Sequence, residues 1–466
     1  MSSIYTFPPM TYGKTISLLT IFQSLVERFP TWDPLHTFLK SEAGGRLRVD
    51  DMATEAKPFV LIRYVKGKSN LALPHTRAFR SVVWDILKNR PVSVAPMKSE
   101  DGESLPTTAD NSTTGYTIER FVDGVMFCGF YDTYNKEWCF HTRSTLGGDS
   151  RYYSQTKTFL EMFQEAVTSN AVTDKAQAWE TFLSMLDPAV NYVWVLQHPE
   201  NRIVVNVPRP KMDCVQRTII EPTGKLQILG GPTPFDVMRI VNVPTWDALR
   251  AKLTEDVRMF KYNTLGYVVK DAEGHRWKIR GKAYNDVRVL RGNSARRDFL
   301  WLSLWRAAKL RTYLAIYSEE TAMANAIVDK WKALSRGVYQ IYCDVFKARS
   351  MPKTQIPPKY RPFVFGLHNL YITELKPQSK SVDWATTLKY MNTRDTAQAL
   401  FAINWEIRMA ARPDKAISLE APSAVGTAVV APQEELKVAE DAIMDSLSEA
   451  VAAVTMALSN AEAMAE

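Results

Sequence analysis

Hydrophobic residues fall along the chain in three successive rhythms. From Thr15 to Phe29 apolar residues recur at helical spacing, and Pro30 ends the run, so residues 1–54 are expected to form a helical leader. From Pro58 the texture changes to short runs rich in β-branched and aromatic residues: FVLIRYV, SVVWDIL, GVMFCGFYD, EWCFHTR, YVWVLQ, RIVVNV, KLQIL, MRIVNV, GYVVKD and RWKIR. Each reads as a strand. A polar stretch between Met97 and Gly115 reads as a loop. After Asn293 the period becomes helical again, over Arg297–Tyr317, Ala322–Phe346 and Thr396–Met409. The pattern predicts an α+β chain, with a strand-rich domain at 55–292 followed by an all-helical domain at 293–412.

The last segment, 413–466, has a texture of its own. Residues 417–433 are rich in Ala, Pro, Val and Ser and read as a linker. Residues 434–466 are Ala-rich and acidic, with Ile443, Leu447, Val451, Val454 and Leu458 on one helical face. This suits a helix for self-association or docking on a protein partner, and equally a loosely structured acidic tail. No repeat appears at solenoid periods.

Charge and composition narrow the picture. The net charge of +8 is uneven: residues 417–466 hold nine acidic residues and one basic residue, which leaves the first 416 residues strongly basic. A basic body suits a polyanion such as RNA, and serves solubility equally well. A chain of 466 residues exceeds the ~250–300 at which a single core stops growing, so more than one domain is expected. Cys128, Cys139, Cys214 and Cys343 form no CxxC pair and lie near no His pair, so neither a zinc site nor a disulfide framework is indicated. The absence of a signal-peptide pattern and of a bilayer-length apolar run excludes secretion and membrane insertion from the expectations. A cytoplasmic or virion-associated protein is expected.

Four runs carry more than texture. AFRSVVWD, ERFVDGVMF, YVWVLQHPENRIVV (Tyr192–Val205) and GYVVKDAEGHRWKIR (Gly266–Arg280) occur in this order. As an ordered set they resemble the covalent nucleotidyltransferase superfamily, in particular its phage-type branch of RNA ligase 1 and tRNA-repair ligases. The resemblance spans about residues 58–290 and is most specific at Pro199–Val204. A weaker helical likeness continues through Lys359–Tyr371. It implies a nucleotidyltransferase domain of ATP-grasp-like antiparallel sheets. It also implies a chemistry in which a lysine takes AMP from ATP with magnesium, and the AMP then activates an RNA 5′-phosphate.

Carried across by position, the resemblance breaks where that chemistry sits. The family's K-x-D-G reads Phe121-Val122-Asp123-Gly124, so the nucleophile position holds a phenyl ring. The acidic ribose contact is Val195, and the metal-supporting Glu is Leu265. The basic positions implied to hold phosphate or RNA persist as Arg80, Arg143, Asn201-Arg202, Lys278 and Arg280, with Lys98 more loosely placed. No catalytic residue, no metal ligand and no cofactor is therefore expected. The three apolar side chains are expected to fill the old nucleotide slot, each contributing ~1.5–3 kcal/mol on burial.

Simpler roles stand beside these. Asp123-Gly124 also reads as a turn between strands. Lys278 and Arg280 also read as one solvated strand face, and Asn201-Arg202 as a structural hairpin element. His198 reads as a packing or hydrogen-bonding residue. Trp301, Trp305, Tyr313 and Tyr317 read as core rather than base-stacking platforms. Three functions are compatible with these residues: a degenerate ligase kept as an RNA-binding or scaffold module, as of a virus or phage; an active ATP- and Mg2+-dependent RNA ligase whose amine comes from Lys98, Lys136, Lys270 or Lys282; and a nucleotide sensor, which Phe121 and Val195 would crowd.

Overall fold

The computed structural model describes residues 17–410, apart from 52, 55, 107–109, 155, 170–173 and 231–239. The tail segment 413–466 and its candidate helix lie outside the described residues. Contacts divide the chain into two units, with the division between Leu290 and Arg291. No helix among the described residues is long and apolar enough to cross a membrane.

The first unit opens with two short amphipathic helices, α1 (Leu18–Arg28) and α2 (Trp32–Lys40). The Ser17 hydroxyl caps α1 by accepting from the Leu19 amide. Both helices cover one face of an antiparallel sheet built in order from β1 (Arg48–Asp50), β2 (Phe59–Arg63), β3 (Val82–Asp85) and β4 (Arg90–Val94). A short helix, α3 (Pro74–Ala78), links β2 to β3. Strand alternation sends Val60, Ile62, Val82 and Trp84 toward Phe22, Leu25, Phe38 and Leu39 of the helices. Phe59, Leu61 and Val83 point the other way and pack with Phe130. Burial on both faces explains why these strands read as continuous apolar runs.

Two further sheets hold the remaining strands. Their strands in chain order are β5 (Glu100–Asp101), β6 (Thr117–Arg120), β7 (Val125–Asp132), β8 (Glu137–Thr142), β9 (Val190–Gln197), β10 (Lys211–Ile220), β11 (Leu226–Ile228), β12 (Gly266–Lys270) and β13 (Arg276–Arg280). The central sheet has the order β11-β10-β9-β7-β8 and is antiparallel throughout. Phe127 and Trp194 on one of its faces pack beneath α4 (Phe159–Thr168) and α5 (Lys175–Ser184). The other sheet, β5-β13-β12-β6, has one parallel pair, β13 with β5. Ile118, Tyr267, Val269 and Trp277 on its outer face pack with Trp246 and Leu249 of α6 (Trp246–Phe260). The unit closes within α7 (Lys282–Arg291), whose last residue is counted with the second unit. The mixed helix-and-sheet class with antiparallel sheets is as expected.

Two expected strands do not form among the described residues. RIVVNV (202–207) is irregular, because its amides are spent on side chains: Val204 and Val205 donate to the Asp123 carboxylate, and Asn206 to Asn263. In MRIVNV the described residues form only a single bridge, Ile240 to Glu119. The Met97–Gly115 loop, in turn, contains β5 and a 3-10 turn at Gly102–Ser104.

In the second unit every regular element among the described residues is a helix. These are α8 (Arg297–Arg306), α9 (Leu310–Leu314), α10 (Thr321–Tyr342), α11 (Arg361–Leu370), α12 (Trp384–Asn392), α13 (Thr396–Ile403) and α14 (Trp405–Ala410). α10 runs on into a π-helical turn at Cys343–Lys347. Leu302, Trp331, Val338, Phe363, Leu367 and Leu400 form its core. Tyr313 and Tyr317 are fully buried, and Trp301 nearly so, in keeping with core roles. Trp305 packs partly buried against the same core.

Candidate phosphate-binding cavity

The inner faces of the central sheet and of β5-β13-β12-β6 bound a cavity of about 510 Å3 within the first unit. The two-residue strand period decides its chemistry. On the central sheet, Trp194 points into the core, so Val193 and Val195 point into the cavity, joined by Met126 and Val215. On β13, Trp277 and Ile279 face α6, so Arg276, Lys278 and Arg280 all face inward. Val268 stands opposite Lys278 on one side and Glu119 on the other, which sets Glu119, Val268 and Lys278 in one row across three strands.

The cavity is basic. Nine Lys and Arg line it against four Asp and Glu, and the acids are mostly engaged elsewhere. Glu119 accepts from Lys270 at 2.9 Å and Glu100 from Arg77. Asp123 is fully committed: Oδ2 accepts the Val204 and Val205 amides at 3.0 Å each, and Oδ1 accepts the Tyr284 hydroxyl at 2.7 Å. Only Asp101 is exposed and unspent, beside Lys278 in the strand register.

The cations are not neutralised. Arg80, Arg276, Lys278, Arg280 and Arg288 make no ion pair among the described residues. Arg276 is buried, and its Nε and Nη1 have no hydrogen-bond partner; Arg280 Nε and Arg143 Nε are likewise orphaned. A buried, unpaired guanidinium is expensive, because it has left water and gained nothing. Burial pulls the Arg276 pKa down, as does neighbouring Arg80, yet a guanidinium stays charged at neutral pH. Lys278 is different. Burial together with Arg80, Arg276, Arg280 and Arg288 holds its pKa down to about 6. Its Nζ lies 4.9 Å from the Phe121 ring centroid, and Arg280 Cζ lies 5.9 Å from the same ring.

The three positions expected to be degenerate line this cavity but do not fill it. Phe121, Val195 and Leu265 form parts of the wall, and open space remains between the sheets. The expectation of a filled slot is therefore corrected: a phenyl ring lying against cations and a valine on a flat sheet face cover the wall without occupying the volume. The Asp-Gly pair keeps its place for structural reasons. Asp123 ties three segments together, and a Cβ on Gly124 would sit 2.3 Å from the Leu196 carbonyl oxygen. Gly266 has φ +129°, and a Cβ there would sit 1.9 Å from the Ile279 carbonyl oxygen, so β12 and β13 meet only through glycine.

Of the expected phosphate contacts, Arg80, Lys98, Arg143, Lys278 and Arg280 do line the cavity. Arg143 also donates to the Tyr64 carbonyl and stacks on that ring. Asn201 and Arg202 do not line it. Both are buried, and Arg202 Nε donates to the Val204 carbonyl, shaping the turn that Asp123 holds. His198 meets Glu165 at 2.9 Å and is a hydrogen-bonding residue. Of the other amines considered, Lys270 is spent on Glu119 and the Val215 carbonyl, Lys282 pairs with Asp286, and Lys136 sits in the β7–β8 turn. The sequence reading missed Arg276 and Arg288. The alternation of RWKIR could have revealed Arg276, which shares a face with Lys278 and Arg280. Nothing in the sequence marks Arg288, on α7.

The donor set can be tested against ATP with magnesium. The cationic wall suits phosphates. A divalent ion does not fit: Val195 and Leu265 stand where the resemblance implies a ribose contact and metal support, Glu119 and Asp123 are already hydrogen-bonded, and five unpaired cations would repel the ion. Among the described residues the one group with metal-ligand geometry is Asp132, Glu137 and Cys139 on the β7–β8 hairpin, outside this cavity.

No family model and no curated protein matches the chain. Two solved structures are similar to it, described as archaeal ATP-dependent RNA ligase, form 1 and form 2. Each covers 84% of this chain, over 82% and 83% of its own length, at 10% identity and a TM-score of 0.31. A likeness at that score supports no inference about this chain.

Proposed function

We propose that the chain is a catalytically degenerate RNA-ligase-like protein of the phage-type branch, kept as an RNA-binding or scaffold module that holds phosphate groups in its inter-sheet cavity. One observation carries this reading. The place of the nucleophilic lysine is a phenyl ring, while the surrounding cations, Arg80, Arg276, Lys278, Arg280 and Arg288, line open space without a carboxylate partner. Anion binding would offset the cost of burying Arg276 and of crowding the other four cations around it. Adenylyl transfer would need an amine in line with the α-phosphate and a supported metal; Phe121 stands in the expected place of that amine, and Val195 and Leu265 in the places of the carboxylates. The remainder of the reading is an RNA partner, the helical second unit as a domain of its own, self-association through 434–466, and a virion or cytoplasmic setting.

Two measurements test it. RNA binding should weaken linearly on a log–log salt plot, and binding that ignores salt would remove the RNA assignment. Incubation with α-labelled ATP and magnesium should leave the protein unlabelled. A lysine-linked AMP mapped by mass spectrometry would instead establish the second reading, an active ligase with a relocated amine. That reading is favoured by one feature, the Lys278 amine facing Phe121.

A further inference from the structure

Lys278 is an unusual lysine on structural grounds. It is the middle residue of three inward-facing cations on β13, and it makes no ion pair among the described residues. Its surroundings can be named element by element. Arg276 and Arg280 flank it on its own strand, Arg80 approaches from the segment after α3, and Arg288 from α7. Phe121 lies against the amine from the β6–β7 connection. The nearby acids are Asp101, exposed on β5, Glu119, tied to Lys270, and Asp123, tied to Tyr284. A lysine surrounded by cations and drawn out of water by burial is held as a free amine, which is the nucleophilic form.

We propose that Lys278 is a nucleophilic amine that captures phosphorylated carbonyl compounds, the arginines around it receiving the phosphate. This rests on the phosphate-binding reading of the cavity, and it requires no metal. The Nζ lone pair attacks the carbonyl carbon, and the new C–N bond forms as the carbonyl π bond breaks. The oxygen gains a proton and nitrogen loses one, giving a carbinolamine. Loss of water then leaves the imine, with no oxidant or reductant consumed. Before an anion enters, its pKa is held down to about 6 and the amine is largely neutral at pH 7. An ordinary lysine, with a pKa near 10.4, is neutral there to only ~0.04%. Nucleophilicity falls with basicity, with a slope of ~0.4–0.5 for thiols, so a net advantage of roughly tenfold or more remains.

The probe is pyridoxal 5′-phosphate at pH 7.0 on the full chain, with borohydride reduction and peptide mapping. The expected result is one pyridoxyl group on Lys278, formed at least tenfold faster than on surface lysines such as Lys332. Inorganic phosphate should slow it, and unphosphorylated pyridoxal should label the site at least tenfold more slowly. K278R, with folding checked by circular dichroism, should lose this fast site and keep the slow surface labelling. Labelling of Lys278 no faster than Lys332 overturns the amine, even where phosphate binding itself is found. Equal rates with both aldehydes, without protection by phosphate, overturn the ligand class and the phosphate-binding reading together.

Discussion

The protein buries arginine in two places and treats it in opposite ways. In the second unit Arg291 is almost wholly buried, and so is Glu320. Glu320 pairs with Arg291 at 3.2 Å and with Arg297 at 2.8 Å, and it accepts from Trp301 Nε1 and the Tyr313 hydroxyl at 2.7 Å each. Arg291 also lies over the Tyr317 ring at 4.9 Å. Every charge in that hub has an internal partner. In the first unit Arg276 is also buried, at 8% exposure against 1% for Arg291, and it makes no ion pair among the described residues. Burial of a charge is therefore not what marks a site. The hub meets its charges with a carboxylate of its own and has a structural role; the cavity leaves its cations to the anion proposed above.

The contrast can be broken, most sharply at the hub. Replacing Glu320 by Gln should destabilise the second unit by about 3–5 kcal/mol, because Arg291 and Arg297 would be left buried without their counter-charge. Denaturant unfolding monitored by tryptophan fluorescence measures this, and a loss under 1 kcal/mol would refute the structural reading of the hub. Next in size is D123A, which removes three hydrogen bonds accepted by one carboxylate. It should cost the first unit about 2–3 kcal/mol and loosen the 202–207 segment, visible as faster amide exchange at Val204 and Val205. R276M should behave in the opposite sense to E320Q. Stability should hold or rise, while affinity for phosphate-bearing ligands falls about tenfold, or about 1.4 kcal/mol. A large stability loss in R276M would make the cavity a second structural hub.

The smallest expected effect is on pH dependence, and its sign follows from Lys278. Its folded pKa, about 6, lies below the unfolded value, so the unfolded chain binds the extra proton between those limits. Stability should therefore rise with pH from about 6.5 to 8.5, and K278M should lack that increment in thermal melts. A phosphate in the cavity favours the protonated amine, so phosphate affinity should tighten as pH falls over the same interval. K278R should flatten that slope while still binding.

Part of this site was legible in advance. Phe121, Val195 and Leu265 could be placed by position, and all three stand on the cavity wall. The inward face of RWKIR, Arg276 included, follows from strand alternation. RIVVNV, by contrast, reads as a strand by composition, but it has no neighbouring strand to pair with and gives its amides to Asp123 and Asn263. Arg202 sits in the most specific motif of the chain yet turns away from the cavity, because its guanidinium caps the turn beside it.

The sequence by itself determined the helix that ends near Pro30, most of the strand runs, and the alternation that sets Lys278 and Arg280 on one face. Those are local properties, written in spacing and side-chain shape. Only the tertiary structure decided which charges are satisfied. Lys270 reaches Glu119 across 151 positions, Tyr284 reaches Asp123 across 161, and Arg80 and Arg288 converge on Lys278 from separate elements. Partnership between distant side chains depends on how the sheets pack, and no local pattern records it. For the same reason the empty volume between the sheets, which makes the cavity a site, could not be read from the three apolar substitutions that line it.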